Sequence, residues 1–137
     1  LKLNLPALSE KDILTGRHLK PDCPTIPLNI LNELEYVILS EGNNLHDRAE
    51  AIFLTAGIKP KIKLEISQLA TSYYLARSKF GAAFVSDKMI TADEKNLNFY
   101  KIDSPVTERL FYAVLPRREY TSKTVRAFVS TFSRINN

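Results

Sequence analysis

The chain has 137 residues, 45% of them apolar and 25% charged, which is typical of one globular, soluble domain with a core of its own. No apolar stretch approaches the roughly 20 residues of a membrane-spanning helix, and the sequence does not begin like a signal peptide, so we expect no membrane association. The single cysteine, Cys23, excludes an internal disulfide and fits a reducing compartment, most simply the cytoplasm.

The net charge of +4 comes entirely from residues 115–137, which contain five basic side chains and one acidic side chain. Residues 1–114 carry 14 charges of each sign and are neutral. No aromatic residues interleave the basic ones as a surface for stacking single-stranded nucleic acid would require. We therefore interpret the basic end as the solvated face of a terminal helix.

The first half of the chain alternates strands with helices. Residues 11–19 (KDILTGRHL) suggest a short strand, and residues 35–39 (EYVIL) form an apolar run typical of a strand buried on both faces. A helix follows, because apolar residues recur at helical spacing and Gly57 stands where a left-handed cap is expected. These apolar residues are Leu45, Ala49, Ile52, Phe53 and Ala56.

The next elements continue this alternation. Strict alternation in residues 61–66 (KIKLEI) indicates a half-exposed or edge strand. Ser67 is the expected N-cap of a second helix, which Gly81 should end, and residues 82–85 (AAFV) read as another buried strand. The predicted buried face of the second helix is Leu69, Tyr73, Ala76 and Phe80.

The order strand, helix, strand, helix, strand with short connections predicts parallel strands joined by right-handed crossovers, an α/β fold with a mostly parallel sheet flanked by helices. Further strands are expected at residues 98–102 and 108–116. A last helix should begin near Thr121 or Ser122. Its predicted buried residues are Val125, Phe128, Val129 and Phe132.

Three polar loops follow the predicted parallel strands, namely Ser40–Asn44, Ser67–Gln68 and Ser86–Lys88. In parallel α/β sheets such loops gather at the carboxyl edge, where ligands bind. Two of them open helices, and the free N–H groups of a helix N-terminus favour an anion or carboxylate. This ring of loops is therefore a candidate site for a small polar ligand.

The chain resembles the effector-binding domain of the bacterial LysR-type transcriptional regulators. The resemblance is a pattern of elements in residues 28–90, LNILNELEYVILSEGNNLHDRAEAIFLTAGIKPKIKLEISQLATSYYLARSKFGAAFVSDKMI, and in the closing segment 99–132, FYKIDSPVTERLFYAVLPRREYTSKTVRAFVSTF. It implies a periplasmic-binding-protein-like (type II) fold, in which two α/β subdomains are joined by crossing strands and hold an effector between them.

By this resemblance, residues 11–103 correspond to the second subdomain, residues 104–137 to the strand and helix that return to the first, and residues 1–10 to a remnant of the first subdomain or hinge. The two-subdomain domain would be incomplete here. The resemblance implies a small-molecule effector, a homo-oligomer (dimer or tetramer), and contact with DNA only through a winged helix-turn-helix domain that this chain lacks. Two alternatives stay open: a transport-type solute-binding protein of the same fold, and an interaction module without a ligand.

The residues expected to contact the effector are Ser40, Glu41, Gly42, Asn43, Asn44, Ser67, Gln68 and Ser86. Ser86 and its neighbour Asp87 are the weaker candidates, because no sequence signal fixes where their side chains point. Each has a simpler structural interpretation. Asn43 or Asn44 could cap a helix, and Ser67 could cap the next one beside a solvent-facing Gln68. Glu41 would repel an anionic effector that carries no amine.

Other chemistry finds little support in the sequence. His18 and His46 lack neighbours with metal-ligand spacing, and His46 is expected at the surface of a helix. Cys23 has no helix terminus or histidine to activate it, and no nucleophile elbow or phosphate-binding loop is present. We expect neither an enzyme nor a cofactor.

Overall fold

The computed structural model describes residues 5–92, 96–108 and 122–135 as helices and short parallel strands. The helices are α1 (Glu10–Leu14), α2 (Asn44–Ala56), α3 (Leu69–Arg77) and α4 (Lys123–Ile135). The strands are β1 (Thr25–Ile26), β2 (Glu35–Leu39), β3 (Lys61–Ile66) and β4 (Lys101–Ile102). Short 3₁₀ turns lie at Arg17–Leu19, Leu28–Glu33, Asp87–Met89 and Pro105–Thr107. None of the helices in these ranges is long and apolar enough to cross a membrane.

Strand β2 lies between two neighbours. On one side it pairs in parallel with β3, from Glu35 opposite Lys61 to Leu39 opposite Ile66. On its other side the Val37 N–H donates to the Ala82 carbonyl at 2.8 Å, and the Ala82 N–H donates to the Glu35 carbonyl at 2.7 Å. The predicted parallel arrangement is therefore confirmed around β2.

A second pairing joins distant parts of the chain. Strands β1 and β4 are parallel, with Ile26 opposite Ile102. Next to them, Leu8 and Phe99 form an antiparallel bridge with N–H···O distances of 2.8 and 3.1 Å. The strand predicted at 98–102 is thus present as a bridge followed by β4, whereas β1 had no clear signal in the proline-rich sequence around it.

Tyr36 is the centre of the main apolar core. Its hydroxyl donates to the Leu31 carbonyl at 2.7 Å, and its ring meets Phe53 edge-on and stacks on Phe84 with centroids 5.0 and 5.7 Å apart. Burial raises the pKa of the phenol above its ordinary value, so the hydroxyl keeps the proton that it donates. This one side chain connects the 3₁₀ turn before β2, helix α2 and the segment after α3.

Helices α2 and α3 cover opposite faces of β2. Side chains of Tyr36 and Ile38 share a core with Ala49, Ile52 and Phe53 of α2. Helix α3 also contacts β2, but its buried Tyr73 belongs to a separate core with Leu8, Cys23, Ile90 and Phe99. Right-handed crossovers require this arrangement, because the chain passes from β2 outward to β3 and then back across β2 to Ala82.

Gly81 allows its backbone to lie close to β2. It is not the left-handed C-cap that the sequence predicted for the second helix. Helix α3 ends at Arg77, and the residue with positive φ is Lys79 at 61°. A Cβ atom on Gly81 would lie 3.0 Å from the Glu35 carbonyl oxygen, which accepts the Ala82 N–H. The glycine therefore permits the hydrogen bonds between Ala82 and β2. By contrast, Gly57 caps α2 with φ 65° as predicted.

Two strand predictions differ from the structure. Residues 11–19 form α1 and a 3₁₀ turn, because Ser9 and Asp12 make a capping box that starts a helix. Hydrogen bonds from the side chain and the backbone of Ser9, and then from Arg17, lower the pKa of Asp12 to about 2. Within residues 82–85 only Ala82 makes a strand-like bridge, so the predicted buried strand is reduced to one position.

The edge position of β3 is confirmed, but its apolar side chains stay exposed. Ile62 and Leu64 are 44% and 37% exposed, so no part of the described chain covers them fully. In α4, Phe128 is 60% exposed rather than buried, whereas Val125, Val129 and Phe132 are half-buried. The strand predicted at 108–116 lies outside the described residues beyond position 108.

Replacing Tyr36 with Phe should destabilise the fold by about 1–2 kcal/mol, because the buried Leu31 carbonyl loses the 2.7 Å bond and keeps only the longer 3.4 Å bond from the Leu34 N–H. The measurement is urea unfolding monitored by circular dichroism. Tyr74→Phe is the matched control. Because Tyr74 is 59% exposed, removing its hydroxyl should change the free energy of unfolding little. Equal stabilities of the two variants would contradict the role given to the Tyr36 hydroxyl.

Candidate functional site

The loop Ser40–Asn44 leaves the carboxyl end of β2 and forms a tight turn. The Asn43 N–H donates to the Ser40 carbonyl at 3.2 Å, and Gly42 adopts a left-handed φ of 85° that side chains rarely adopt. The Asn43 side-chain oxygen accepts the Leu45 N–H at 3.0 Å, which confirms the expected capping role for Asn43. Glu41, Gly42 and Asn44 are exposed.

His46 fixes this loop from inside the first turn of α2. Its Nδ1 lies 2.6 Å from the Leu39 carbonyl, and a carbonyl only accepts, so Nδ1 carries the proton and donates it. The residue is half-buried, so its bond to Leu39 adds a structural role to the position at the helix surface that was predicted for it. His46 therefore attaches the start of α2 to the end of β2.

The second loop, Ser67–Gln68, lies directly beside the first. The Ser40 N–H donates to the Ile66 carbonyl at 2.8 Å, which extends the ladder between β2 and β3 past Leu39. Both strands thus end side by side, and their loops leave toward helices on opposite faces of the sheet. In parallel sheets this geometry opens a crevice at the carboxyl edge.

The N-terminus of α3 differs from that of α2. Gln68, not Ser67 as predicted, holds the N-cap position, and its side chain makes no capping bond to the backbone. The Gln68 Oε1 instead accepts from the Thr71 hydroxyl at 3.2 Å. Ser67 and Gln68 are both exposed. The first N–H groups of α3 are therefore not satisfied by a side chain of the N-cap residue.

The third loop, Ser86–Lys88, is organised by its own residues. The Ser86 hydroxyl donates to the Asp87 carboxylate at 3.2 Å and accepts the Lys88 N–H at 3.3 Å. Among the hydrogen bonds of the described residues, none joins Ser86 to either of the other loops. Seven of the eight candidate residues thus lie in the two loops that leave the paired ends of β2 and β3, and Ser86 lies in a third turn whose hydrogen bonds are internal.

His18 holds the third loop from a distant part of the chain. Its Nε2 lies 3.3 Å from the Asp87 carboxylate, and the His18 side chain is only 15% exposed. Partial burial acts to raise the pKa of Asp87, but hydrogen bonds from His18 and Ser86 and the charge of Lys88 outweigh it, and the pKa falls below its ordinary value. Asp87 is therefore an ionised acceptor at neutral pH.

A groove beside the first loop contains residues that the sequence did not single out. The cavity measures about 380 Å³, is open to solvent, and lies between α2 and the 3₁₀ turn Pro105–Thr107. Its lining residues are Asn44, Asp47, Arg48, Ala51, Pro105, Val106 and Glu108. The sequence carries one signal for Arg48, since it stands four residues after Asn44 on the same helix face.

Metal chemistry receives no support here, because residues 5–92, 96–108 and 122–135 hold no group of three or more histidine, cysteine, aspartate or glutamate residues that could bind an ion. The site consists of exposed hydroxyl, amide and backbone N–H groups at the ends of parallel strands. Ligands bind at such edges in open α/β sheets, so the fold and this edge are those expected of an α/β ligand-binding domain.

The family model described as "LysR substrate binding domain" matches residues 16–134. The chain therefore belongs to the LysR substrate-binding-domain family, and its fold is periplasmic-binding-protein-like, as the sequence had indicated. Comparisons with curated proteins and with solved structures found no match.

Asp87→Asn should destabilise the domain at pH 7 by about 0.5–1 kcal/mol, because a partly exposed ionised acceptor for His18 and Ser86 is lost. A carboxyl whose pKa is lowered by folding stabilises the folded state at pH values above its ordinary pKa of 3.8. This stabilisation is lost as the pH falls through the lowered pKa of the folded state. The difference from the unsubstituted protein should therefore shrink between pH 5 and pH 2.

The measurement is thermal unfolding at a series of pH values, with Asp103→Asn as the control because Asp103 is exposed. A stability difference for Asp87→Asn that stays constant down to pH 2 would contradict the assignment of the carboxylate as the stabilising group.

Proposed function

We propose that the chain senses a small polar effector as part of a LysR-type transcriptional regulator. The effector would bind at the carboxyl edge of the sheet, against Ser40–Asn44 and Ser67–Gln68. Binding would favour one arrangement of the two subdomains, and the regulator would transmit that preference to a DNA-binding domain outside these residues. Such a protein acts in the bacterial cytoplasm and is not an enzyme.

The observation that carries this proposal is the hydrogen bond from the Ser40 N–H to the Ile66 carbonyl. It aligns the two polar loops beside each other, where a single small molecule can contact both. The family match supports the same function, because the matching family model is described as a substrate-binding domain. Ser86 is a weaker contact, because its hydroxyl is engaged with Asp87 and Lys88.

The chemistry of the edge favours an effector with a carboxylate or another anionic group. The first N–H groups of α3 lack a capping side chain from the N-cap residue, and helix N-termini attract negative charge. Ser67 and Gln68 add exposed polar groups at the same helix end. Glu41 is exposed on the neighbouring loop, so an effector that also carries an amine would be accepted better than a purely anionic one.

The proposed domain organisation follows the resemblance. Residues 11–103 would form the second subdomain, residues 104–137 would return to the first, and residues 1–10 would belong to the first subdomain or hinge. Leu8 and Phe99, near the two proposed subdomain boundaries, form an antiparallel bridge, which is compatible with a hinge there. The alternative function, a transport-type solute-binding protein, would use the same sheet edge.

The first test is thermal unfolding of the full-length protein with acetate, sulfate, benzoate and glycine as probes. A ligand that binds the folded state should raise the melting temperature as its concentration rises. At 100 times its Kd, the ligand should add about 2.7 kcal/mol to the free energy of unfolding. Ser40→Ala combined with Asn44→Ala should abolish this increase, because it removes polar groups from the first loop.

Asn32→Ala is the matched control, since Asn32 is exposed in the 3₁₀ turn before β2. It should leave the ligand-dependent increase unchanged. A flat response of the folded protein to all four probes would argue for an interaction module rather than an effector domain. An increase that survives the double substitution would move the binding site away from Ser40–Asn44.

We also propose that β3 and α3 contribute to a homo-oligomer, most simply a dimer. Four large apolar side chains on and beside these elements are exposed, namely Ile62, Leu64, Tyr74 and Phe80. The Lys63 ammonium lies 4.8 Å from the centroid of the Phe80 ring, so the end of the α3 segment lies against β3. A partner copy that pairs along the edge of β3, which has no strand beside it among the described residues, would cover apolar side chains next to that edge.

Leu64→Glu should weaken the oligomer by about tenfold or more, because it would bury an unpaired charge in the proposed interface. Sedimentation equilibrium of the full-length protein measures the effect. The control is Leu19→Glu, at a residue 71% exposed and outside this surface. An unchanged dimer with Leu64→Glu would exclude β3 from the interface.

A further inference from the structure

We propose that Arg48 is a positioning residue that couples the first candidate effector loop to the segment Pro105–Glu108. The coupling consists of hydrogen bonds from one guanidinium group to both places. Its connection to effector binding rests on the function proposed above, whereas the contact between the loop and the segment can be tested without any effector.

The guanidinium of Arg48 joins residues far apart in the chain. Its Nε–H donates to the Asn44 side-chain oxygen at 2.9 Å. Its Nη1 donates to the Glu108 carbonyl at 2.9 Å and also to the Val106 carbonyl. A single half-buried side chain thus links the first turn of α2 to the backbone of a segment about 60 residues later.

The segment presents carbonyls that such a donor can bond. The turn Pro105–Thr107 is a single 3₁₀ turn, and the carbonyls at the end of a helical turn have no partner within it. The planar guanidinium places several N–H donors in a fixed arrangement, so it can serve the two carbonyls and Asn44 together. A lysine would keep the positive charge but could not reproduce this arrangement.

Asn44 is the element that would respond to an effector. It is exposed in the first candidate loop, and its side-chain oxygen is engaged by Arg48. A ligand that takes this oxygen as its own partner removes one of the contacts that hold the guanidinium in place. By reciprocity, an arrangement of Pro105–Glu108 that releases Arg48 changes the affinity for that ligand by the same factor.

The Thr107 amide is the natural probe of this coupling, because its N–H donates to the Ser104 carbonyl at 3.0 Å within the segment that Arg48 holds. Hydrogen–deuterium exchange of this amide, followed by NMR in the full-length protein, reports how often the turn opens. The Val37 amide, which is bonded to Ala82 in the centre of the sheet, reports global unfolding.

Arg48→Ala and Arg48→Lys should both accelerate exchange of the Thr107 amide by about tenfold, since the carbonyls lose their shared donor. Asn44→Ala should accelerate it by about two- to tenfold, through the loss of one hydrogen bond. Exchange of the Val37 amide should not change in any of them. Glu50→Ala, at an exposed position of the same helix, should leave both amides as they are.

Unchanged Thr107 exchange in Arg48→Lys would overturn the positioning role of Arg48. Accelerated exchange in Arg48→Lys without any effect of Asn44→Ala would overturn the coupling to the loop. If Arg48→Ala accelerates Val37 as well, its effect is global, and the decision rests on Arg48→Lys and Asn44→Ala, which remove less of the contact.

One further comparison separates this inference from the proposed function. A probe among acetate, sulfate, benzoate and glycine that stabilises the protein should change Thr107 exchange in the unsubstituted protein but not in Arg48→Lys, even though it still stabilises that variant. Equal changes in both proteins would overturn the relay. The absence of any stabilising probe would overturn the proposed function and leave the exchange results for the substitutions to stand.

Discussion

A strand in the middle of a sheet needs neighbours on both edges and on both faces, and β2 has all four among the described residues. Its edges are bonded to β3 and to Ala82, and its faces are covered by α2 and α3. Burial of unpaired N–H and C=O groups is unfavourable, so each neighbour of β2 is fixed in position by the others. The loops at the end of β2 inherit that fixed position.

The polar residues of the candidate site divide into those that build it and those that remain available. Asn43 caps α2 and His46 binds the end of β2, so their hydrogen-bonding groups maintain the loop. Ser67 and Glu41 are exposed at the same edge, and Gln68 shares only its side-chain oxygen with Thr71. A rigid frame with a few available polar groups is what specific recognition of a small molecule requires.

Local signals in the sequence were sufficient for β2, α2 and β3. A continuous apolar run, a helical repeat and an alternating run each have one dominant interpretation, and Gly57 supplied the end of α2. The error at residues 11–19 arose because the capping box of Ser9 and Asp12 outweighed the pattern that suggested a strand. The error at Gly81 arose because both left-handed turns and close backbone approach favour glycine, and only the position of the Glu35 carbonyl distinguishes them.

The candidate site was predictable only as far as its loops. Their shared edge follows from parallel topology, which the order of elements already implied. The contacts of Arg48 with residues 106 and 108 and of His18 with Asp87 link positions about 60 to 70 residues apart, and no local pattern encodes such pairs. Ser86 was grouped with the other loops by position, whereas its hydroxyl is engaged within its own turn.

The pairing of β1 with β4 also determines how the chain can reach this structure. The unit around β2 is made of elements that follow each other along the chain, from β2 through α2, β3 and α3 to Ala82. Contacts between these elements therefore enclose only short stretches of chain. Ile26 meets Ile102, and Leu8 meets Phe99, only after the whole intervening chain has been brought together. Closing a long loop has a larger entropic cost than closing a short one, and contacts of high sequence separation slow folding. The unit around β2 is thus suited to form first, with the pairings of residues 8 and 25–26 to residues 99–102 joining afterwards.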